Sequence, residues 1–401
     1  MEIQGTVAEG FEGVRDAFAA NFGARGERGA AVTVYRDGRP VVDLWGGTAD
    51  ADGDRPWTAG TAQILRSATK GMSTAVVLLL VQQGLLDPDA PVGTYWPEFK
   101  AAGKERVTVR QLMSHQAGLP ALDVPLTVAQ AVDGTTGPAA VAAQRPFWEP
   151  GQAHGYSPHT FSWFVGELVR RVTGRSAGAV LAAEVAAPLG LELWLGLPAG
   201  ERHRVGRVAA VQPPPPAAGV GGGLRIRPRR DVAAAYEDPG SLTRRAFGSV
   251  FPGPDENDPV WQSAELPGAN GVGTARALAR CYAALIGDVD GGPRLLRPET
   301  LAAATAEQAS GPDRVLIART RFGLGFMLHG PASPMTSPAA FGHPGRGGSL
   351  GFADPDLGLG FGYVTNGMQA SVTSDPRAQA LVRAVRGCAA GVRPVSRGRG
   401  E

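Results

Sequence analysis

The sequence predicts an α+β fold in which one antiparallel sheet, flanked by helices, is assembled from both ends of the chain, with a mainly helical domain inserted between its halves. Short β-prone runs crowd the stretch before Trp57 and return after Phe322, while the long stretch between them reads as helices and loops. The length of 401 residues adds a third pointer, since it exceeds one simple core and suggests two or three folding units.

In chain order, Val14, Phe18 and Phe22 fall at helical spacing within Phe11 to Phe22. Ala30 to Tyr35 (AAVTVY) and Pro40 to Trp45 (PVVDLW) flank Arg36-Asp37-Gly38-Arg39 and read as a hairpin around an Asp-Gly turn. Ile64 to Gln83 contains no proline and is apolar all round in its second half, the mark of a helix buried on every face, with Gly84 as its stop. Val107 to His115 reads as a short helix. Pro158 to Thr173 reads as a longer one, with Phe161, Phe164, Val165, Leu168 and Val172 on one stripe and Gly174 beyond it.

Pro213 to Pro216 and the Gly-rich Ala217 to Gly223 form a low-complexity loop. Ala275 to Leu285 and Arg297 to Glu307 read as helices, and Phe322 to Leu328, Gly348 to Ala353 and Gly360 to Thr365 as strands. Pro376 to Val385 closes the fold as a helix before a basic, Gly-rich tail expected to be disordered from about residue 388. The expected division is a discontinuous sheet domain, 1–60 with 315–401, around a helical domain, 61–314.

Composition narrows the function classes. At 43% hydrophobic and 19% charged residues the chain is globular, and a net charge of +2 without a contiguous basic stripe gives no warrant for nucleic-acid binding. The longest apolar run, Ala75 to Val81, is too short to span a bilayer, so no membrane partner is expected. Met1-Glu2-Ile3-Gln4 lacks the charged and apolar regions of a signal peptide, and Cys281 and Cys388 form neither a disulfide framework nor a metal spacing. The expectation is a cytoplasmic protein. Among 39 basic residues only Lys70, Lys100 and Lys104 are lysines. Arginine stays protonated in proteins whereas a desolvated lysine can act as a base, so each lysine is a candidate.

Ser67 and Lys70 form an S-x-x-K pair at the start of the buried helix, a spacing that puts both side chains on one face. Lys70 shares its stripe with Val77 and Val81, and desolvation there lowers the lysine pKa. A neutral amine beside a hydroxyl can take its proton, and the helix N-terminus favours developing negative charge. Tyr156 has two readings. Ser157 and Pro158 suit an N-cap and a first helical position, with Tyr156 stapled onto Phe161; alternatively the phenol shares a proton with a nearby lysine as general base.

His343-Pro344-Gly345-Arg346-Gly347-Gly348 is either an ordinary tight turn or a turn entering an edge strand that lines a site. Gly347-Gly348-Ser349-Leu350-Gly351 matches G-x-S-x-G, but a strand and turn follow Ser349 where that motif needs a helix. His115, His154, His159, His203, His329 and His343 show no metal-ligand spacing, so neither metal nor organic cofactor is expected.

Taken together, Arg66-Ser67-Ala68-Thr69-Lys70-Gly71, Leu112-Met113-Ser114-His115-Gln116-Ala117-Gly118-Leu119-Pro120, Trp148-Glu149-Pro150-Gly151 with Tyr156-Ser157, and Gly342-His343-Pro344-Gly345 make the chain resemble the serine β-lactamase-like superfamily, especially the class C β-lactamase-related esterases (family VIII carboxylesterases). The resemblance implies a β-lactamase/penicillin-binding-protein-like fold with the site in the cleft between sheet and helical domain. It makes Ser67 the acylated nucleophile and has Lys70 and Tyr156 share the base role. The N–H groups of Ser67 and Arg346 become the oxyanion hole, Gly345 joins them at the substrate, and His343 occupies the place where β-lactamases carry the lysine of K-T-G.

Two departures matter: Pro158 stands at the Asn position of Tyr-x-Asn, and His343 replaces a permanent cation. Both favour a small-molecule ester as substrate over an antibiotic. A β-lactamase, a D-amino-acid peptidase, an acyltransferase or a non-catalytic binding protein on the same scaffold are the alternatives.

Overall fold

The computed structural model describes residues 2–212 and 230–391. The low-complexity Pro213–Gly223 segment, and the tail beyond residue 391, lie outside the described residues. Nine strands build the main sheet: β1 Ile3–Val7, β2 Gly29–Arg36, β3 Arg39–Gly47, β4 Ala309–Pro312, β5 Arg319–Phe322, β6 Met327–Leu328, β7 Phe341–Pro344, β8 Leu350–Asp354 and β9 Leu359–Thr365. Their spatial order is β1-β3-β2-β9-β8-β7-β6-β5-β4, with every neighbouring pair antiparallel. The joint between the two chain ends is β2 against β9, where Thr33 faces Gly362 and Val34 faces Phe361.

The five longest described helices are α1 Glu12–Ala24, α2 Thr69–Gln82, α3 Thr160–Thr173, α4 Ala275–Ile286 and α5 Pro376–Gly391. Period-two alternation sorts the sheet's two faces. Val32, Val34, Phe361 and Tyr363 join Phe18 of α1 and Leu381 of α5 in one buried cluster, while Val364 and Ala353 face α4 in the other. Gly362 shows how closely α4 lies, for a Cβ there would sit 2.4 Å from the carbonyl oxygen of Ala275. Helix α2 is buried along Thr69–Leu80, packed against β7 and α3. That matches the all-round apolar pattern, which has no polar face to show solvent.

Several expectations need correction. Ile64 to Gln83 is not one helix: Gln63–Ile64 is a short strand and Arg66–Ala68 a 3₁₀ turn before α2 begins. Phe322 to Leu328 is not one strand either, but the paired ends of β5 and β6 joined by a turn. Helix α3 starts at Thr160 with His159 in the capping position, so Ser157 is not its N-cap. The sheet also claims β4, and α4 packs directly on it, although both fall inside the stretch expected to be helical domain. The closing helix runs to Gly391, so residues 388–391 are ordered helix rather than tail.

Candidate active site

Ser67 sits in the 3₁₀ turn that leads into α2, half-buried on the wall of an open cleft of about 570 Å³. Pro158, His159, Phe247 and Arg346 share that wall, and much of the remainder is apolar, including Val208, Trp261 and Met368. Arg66, just before the nucleophile, holds a left-handed φ of 50°, a conformation costing a side-chain-bearing residue about 1–3 kcal/mol. Its guanidinium explains the persistence: Nε donates to both carboxylate oxygens of Glu256 at 2.7 and 2.8 Å, and Nη1 donates to the Arg346 carbonyl at 2.7 Å.

The three lysines divide by what their nitrogens touch. Lys104 donates to the carbonyls of Ala101, Ala142 and Gln144 at 2.7, 2.9 and 2.7 Å, so all three ammonium protons are used. Burial lowers its pKa only to about 8, leaving it a structural cation at neutral pH. Lys100 is exposed. Lys70 is fully buried and donates to two carbonyls, Gly268 at 2.8 Å and Pro158 at 3.1 Å. Burial alone pushes its pKa well below the ordinary lysine value. A neutral amine has two N–H donors and one lone pair. Two carbonyls satisfy the donors, and the lone pair is left to accept a proton.

Tyr156 lies over this amine, with Lys70 Nζ 4.9 Å from its ring centre. The phenol is 3% exposed, and burial raises its pKa above the ordinary tyrosine value, partly offset by the nearby Ser67 hydroxyl. Among the described residues Tyr156 Oη meets no hydrogen-bond partner. The phenol therefore keeps its proton at rest, while burial makes the Lys70 amine give up its proton more readily than an ordinary lysine does. Ser157, freed from capping, donates its N–H to His115 Nδ1 at 3.3 Å. The Tyr156 N–H goes to Asp313.

His343 occupies β7, where it pairs with Gly351 of β8 but lies past the two residues that pair with β6. It is 1% exposed, its Nδ1–H donates to the Pro344 carbonyl at 2.8 Å, and its ring centre lies 5.7 Å from that of Tyr156. Burial first, and then Lys70, hold its pKa at about 3. His343 is thus a neutral, buried ring beside Tyr156 and is not among the residues that line the cleft.

Gly345 brings the following loop against the nucleophile segment, for a Cβ there would lie 2.4 Å from the Leu65 carbonyl oxygen. Arg346 reaches the cleft itself, its guanidinium 5.7 Å from the Phe247 ring centre. Among the described residues the Arg346 N–H meets no acceptor, and the Ser67 N–H, in the first turn of its helix, has none within the helix. His159 lines the cleft as a neutral imidazole with a pKa of about 4, lowered by burial and then by Lys70. Ser349 is buried and followed by β8, as its sequence context requires. Among the described residues no cluster of three His, Cys, Asp or Glu side chains is placed to hold a metal ion.

Sequence reasoning missed Glu256 and Asp313. Each meets its partner across the fold, 190 residues from Arg66 and 157 from Tyr156, and neither sits in a motif. A hydroxyl on a cleft wall, a buried amine whose pKa is depressed, a protonated phenol and two unengaged N–H groups are the parts that acyl transfer through a serine ester requires.

Residues 14–384 match the family model described as Beta-lactamase. The esterase/beta-lactamase LipL of Mycobacterium tuberculosis is 39% identical over 354 residues, 87% of this chain and 80% of LipL. A solved structure described as a family VIII carboxylesterase is 41% identical, superposes with a TM-score of 0.85, and is covered in full by 97% of this chain. EstA from Arthrobacter nitroguajacolicus Rue61a is 35% identical with a TM-score of 0.83, over 98% of this chain and 99% of EstA.

Proposed function

Because the chain belongs to the beta-lactamase family, we propose that it is a carboxylesterase-type serine hydrolase acting on small-molecule esters. Ser67 Oγ attacks the ester carbonyl while Lys70 Nζ takes its proton, and the negative charge that forms on the carbonyl oxygen meets the N–H groups of Ser67 and Arg346. Collapse breaks the carbonyl–alkoxide bond. The alkoxide leaves with a proton from Tyr156, which Lys70 resupplies, so the proton taken from serine ends on the alcohol. Water then attacks the acyl-serine by the same route, releasing the acid and restoring the Ser67 hydroxyl.

The observation that carries this reading is Lys70, which donates to the carbonyls of Gly268 and Pro158 while burial disfavours its charged form. Esters are favoured over β-lactams because Pro158, at the position where an asparagine side-chain amide would hold the lactam's acylamino group, offers only a carbonyl already engaged by Lys70. Neutral, buried His343 provides no fixed charge for a drug carboxylate. No helix among the described residues is long and apolar enough to cross a membrane. A cytoplasmic location is part of the proposal and is supported by Cys281 and Cys388, both free thiols.

The test is hydrolysis of short 4-nitrophenyl acyl esters, beside one chromogenic cephalosporin, by wild type and Ser67→Ala, with intact-mass detection of the acyl adduct. Ester turnover with an adduct on wild type, both absent in Ser67→Ala, is the expected result. Ester turnover retained by the variant would remove Ser67 from the mechanism, and faster cephalosporin turnover than ester turnover would favour the lactamase alternative.

A further inference from the structure

We infer that Arg66, locked in place by Glu256, is a positioning residue that sets the spacing between the two oxyanion-binding N–H groups, an inference that rests on the acyl-serine reading above. The loop after β7 shows how its polar groups are disposed. Gly345 donates its N–H to the Ser349 carbonyl at 2.6 Å, Gly347 to Ser371 at 2.9 Å and Gly348 to Gly345 at 3.1 Å. The carbonyls of Arg346 and Gly347 are each gripped by a guanidinium, from Arg66 Nη1 at 2.7 Å and Arg377 Nη2 at 2.7 Å. Among the described residues the Arg346 N–H, beside these engaged donors, meets no acceptor.

Of these ties, the one from Arg66 alone joins the loop to the segment carrying the other donor, because Arg66 is covalently bonded to Ser67. Its left-handed backbone turns the Ser67 N–H, and its side chain reaches over to hold the Arg346 peptide. Glu256 supplies the third point. It engages Nε and Nη2 of the planar fork, which leaves Nη1 aimed at the carbonyl, and it balances the guanidinium charge at the cleft wall. Gly347 leaves room for this strap, since a Cβ there would lie 2.6 Å from Arg66 Nη1. A lysine at 66 offers one point charge and cannot hold a carboxylate and a carbonyl in fixed directions together.

The experiment compares Arg66→Gln, Arg66→Lys, Glu256→Gln and Ser67→Ala on 4-nitrophenyl butyrate, with the inhibition constant of butylboronic acid, whose tetrahedral adduct occupies the oxyanion site. For Arg66→Gln we expect kcat to fall roughly 10²-fold with KM nearly unchanged, the loss typical of a 1 Å misplacement. The boronate constant should rise in parallel, with Arg66→Lys close behind and Glu256→Gln between these and wild type. A merely structural role would lower the melting temperature without tying kcat to the boronate constant. Glu256→Gln, which keeps every Arg66 atom, serves if the Arg66 variants fold poorly. Wild-type kcat and boronate binding in folded Arg66→Gln, with Ser67→Ala inactive, would overturn this inference alone; an active Ser67→Ala would overturn the acyl-serine reading and this inference with it.

Discussion

The backbone N–H of Tyr156 points between the two carboxylate oxygens of Asp313, 3.1 and 3.2 Å away. The same carboxylate accepts the N–H groups of Val315 and Leu316 at 2.8 and 2.9 Å and the Thr320 hydroxyl at 3.1 Å, and that hydroxyl also meets His154 Nε2 at 2.8 Å. Asp313 is 2% exposed and does not line the cleft. Its effect on the reaction must therefore pass through Tyr156. Asp313→Asn turns one acceptor oxygen into a donor facing other donors. It should lower kcat roughly 10²-fold with little change in KM, and cost about 1–3 kcal/mol of stability. Steady-state kinetics and urea denaturation check both; an unchanged kcat in the folded variant would remove Asp313 from the positioning of Tyr156.

Lys70 fixes the direction of the pH dependence. Below its depressed folded pKa the amine is protonated and the base is lost, so kcat/KM falls toward acid. The raised pKa of Tyr156 moves any loss of the proton donor toward alkaline pH. Stability follows the same group: between the folded value and the ordinary lysine pKa the unfolded chain binds the extra proton, so folding stability rises as pH rises through that window. Lys70→Met should accordingly lose about 10²–10⁴-fold in kcat/KM yet melt above wild type at neutral pH. Calorimetry beside ester assays decides it. A melting temperature below wild type would show that the amine's two carbonyl bonds outweigh its desolvation.

Which features could be read from sequence follows from how local their causes are. Ser67 and Lys70 share one helical step, and the β2–β3 hairpin has its Asp-Gly turn between two β-prone runs, so both show in the primary structure. Phe322 to Leu328 misled because glycines alternate with apolar residues across a tight turn and imitate the period of a single strand. Phe341–Pro344 shows the reverse. Gly342 and Pro344 signal a turn, yet pairing with β8 makes the segment a strand. Glu256, Asp313 and Arg377 hold the site through contacts between distant segments, and no local pattern encodes such a contact.

Arg377 is the clearest case. It is fully buried between Glu27 at 3.1 Å and Asp375 at 2.9 Å, and it also donates to the carbonyls of Gly347 and Gly367. Burial raises the Glu27 carboxyl pKa, and Arg377 opposes that rise. Arg377→Gln leaves two carboxylates without their countercharge and should cost about 3–5 kcal/mol at pH 7. Without the cation the folded-state pKa of Glu27 rises further, so the penalty belongs to the ionised form and should shrink as pH falls through that value. Urea denaturation at pH 7 and pH 5 measures this; a penalty that grew toward pH 5 would contradict the charge argument.

Gly345 offers a purely steric probe of how nucleophile and oxyanion loop are spaced. An added Cβ would lie 2.4 Å from the Leu65 carbonyl oxygen, 3.2 Å from Ser349 Cβ and 3.5 Å from the Ala68 nitrogen. Both sides of the first contact are backbone, so no side chain can swing away, and relief requires the β7 loop and the Ser67 segment to part by about 1 Å. Gly345→Ala should then lower kcat roughly 10²-fold with KM nearly constant, and slow acylation by a phosphonate to a similar extent. Overpacking should cost about 1–3 kcal/mol. The matched control is Gly387→Ala in α5, where an added Cβ meets nothing within 4 Å. There the helix should gain about 0.5–1 kcal/mol with no change in rate. If Gly345→Ala kept wild-type kcat while losing stability, contact between these segments would matter to the fold and not to the chemistry.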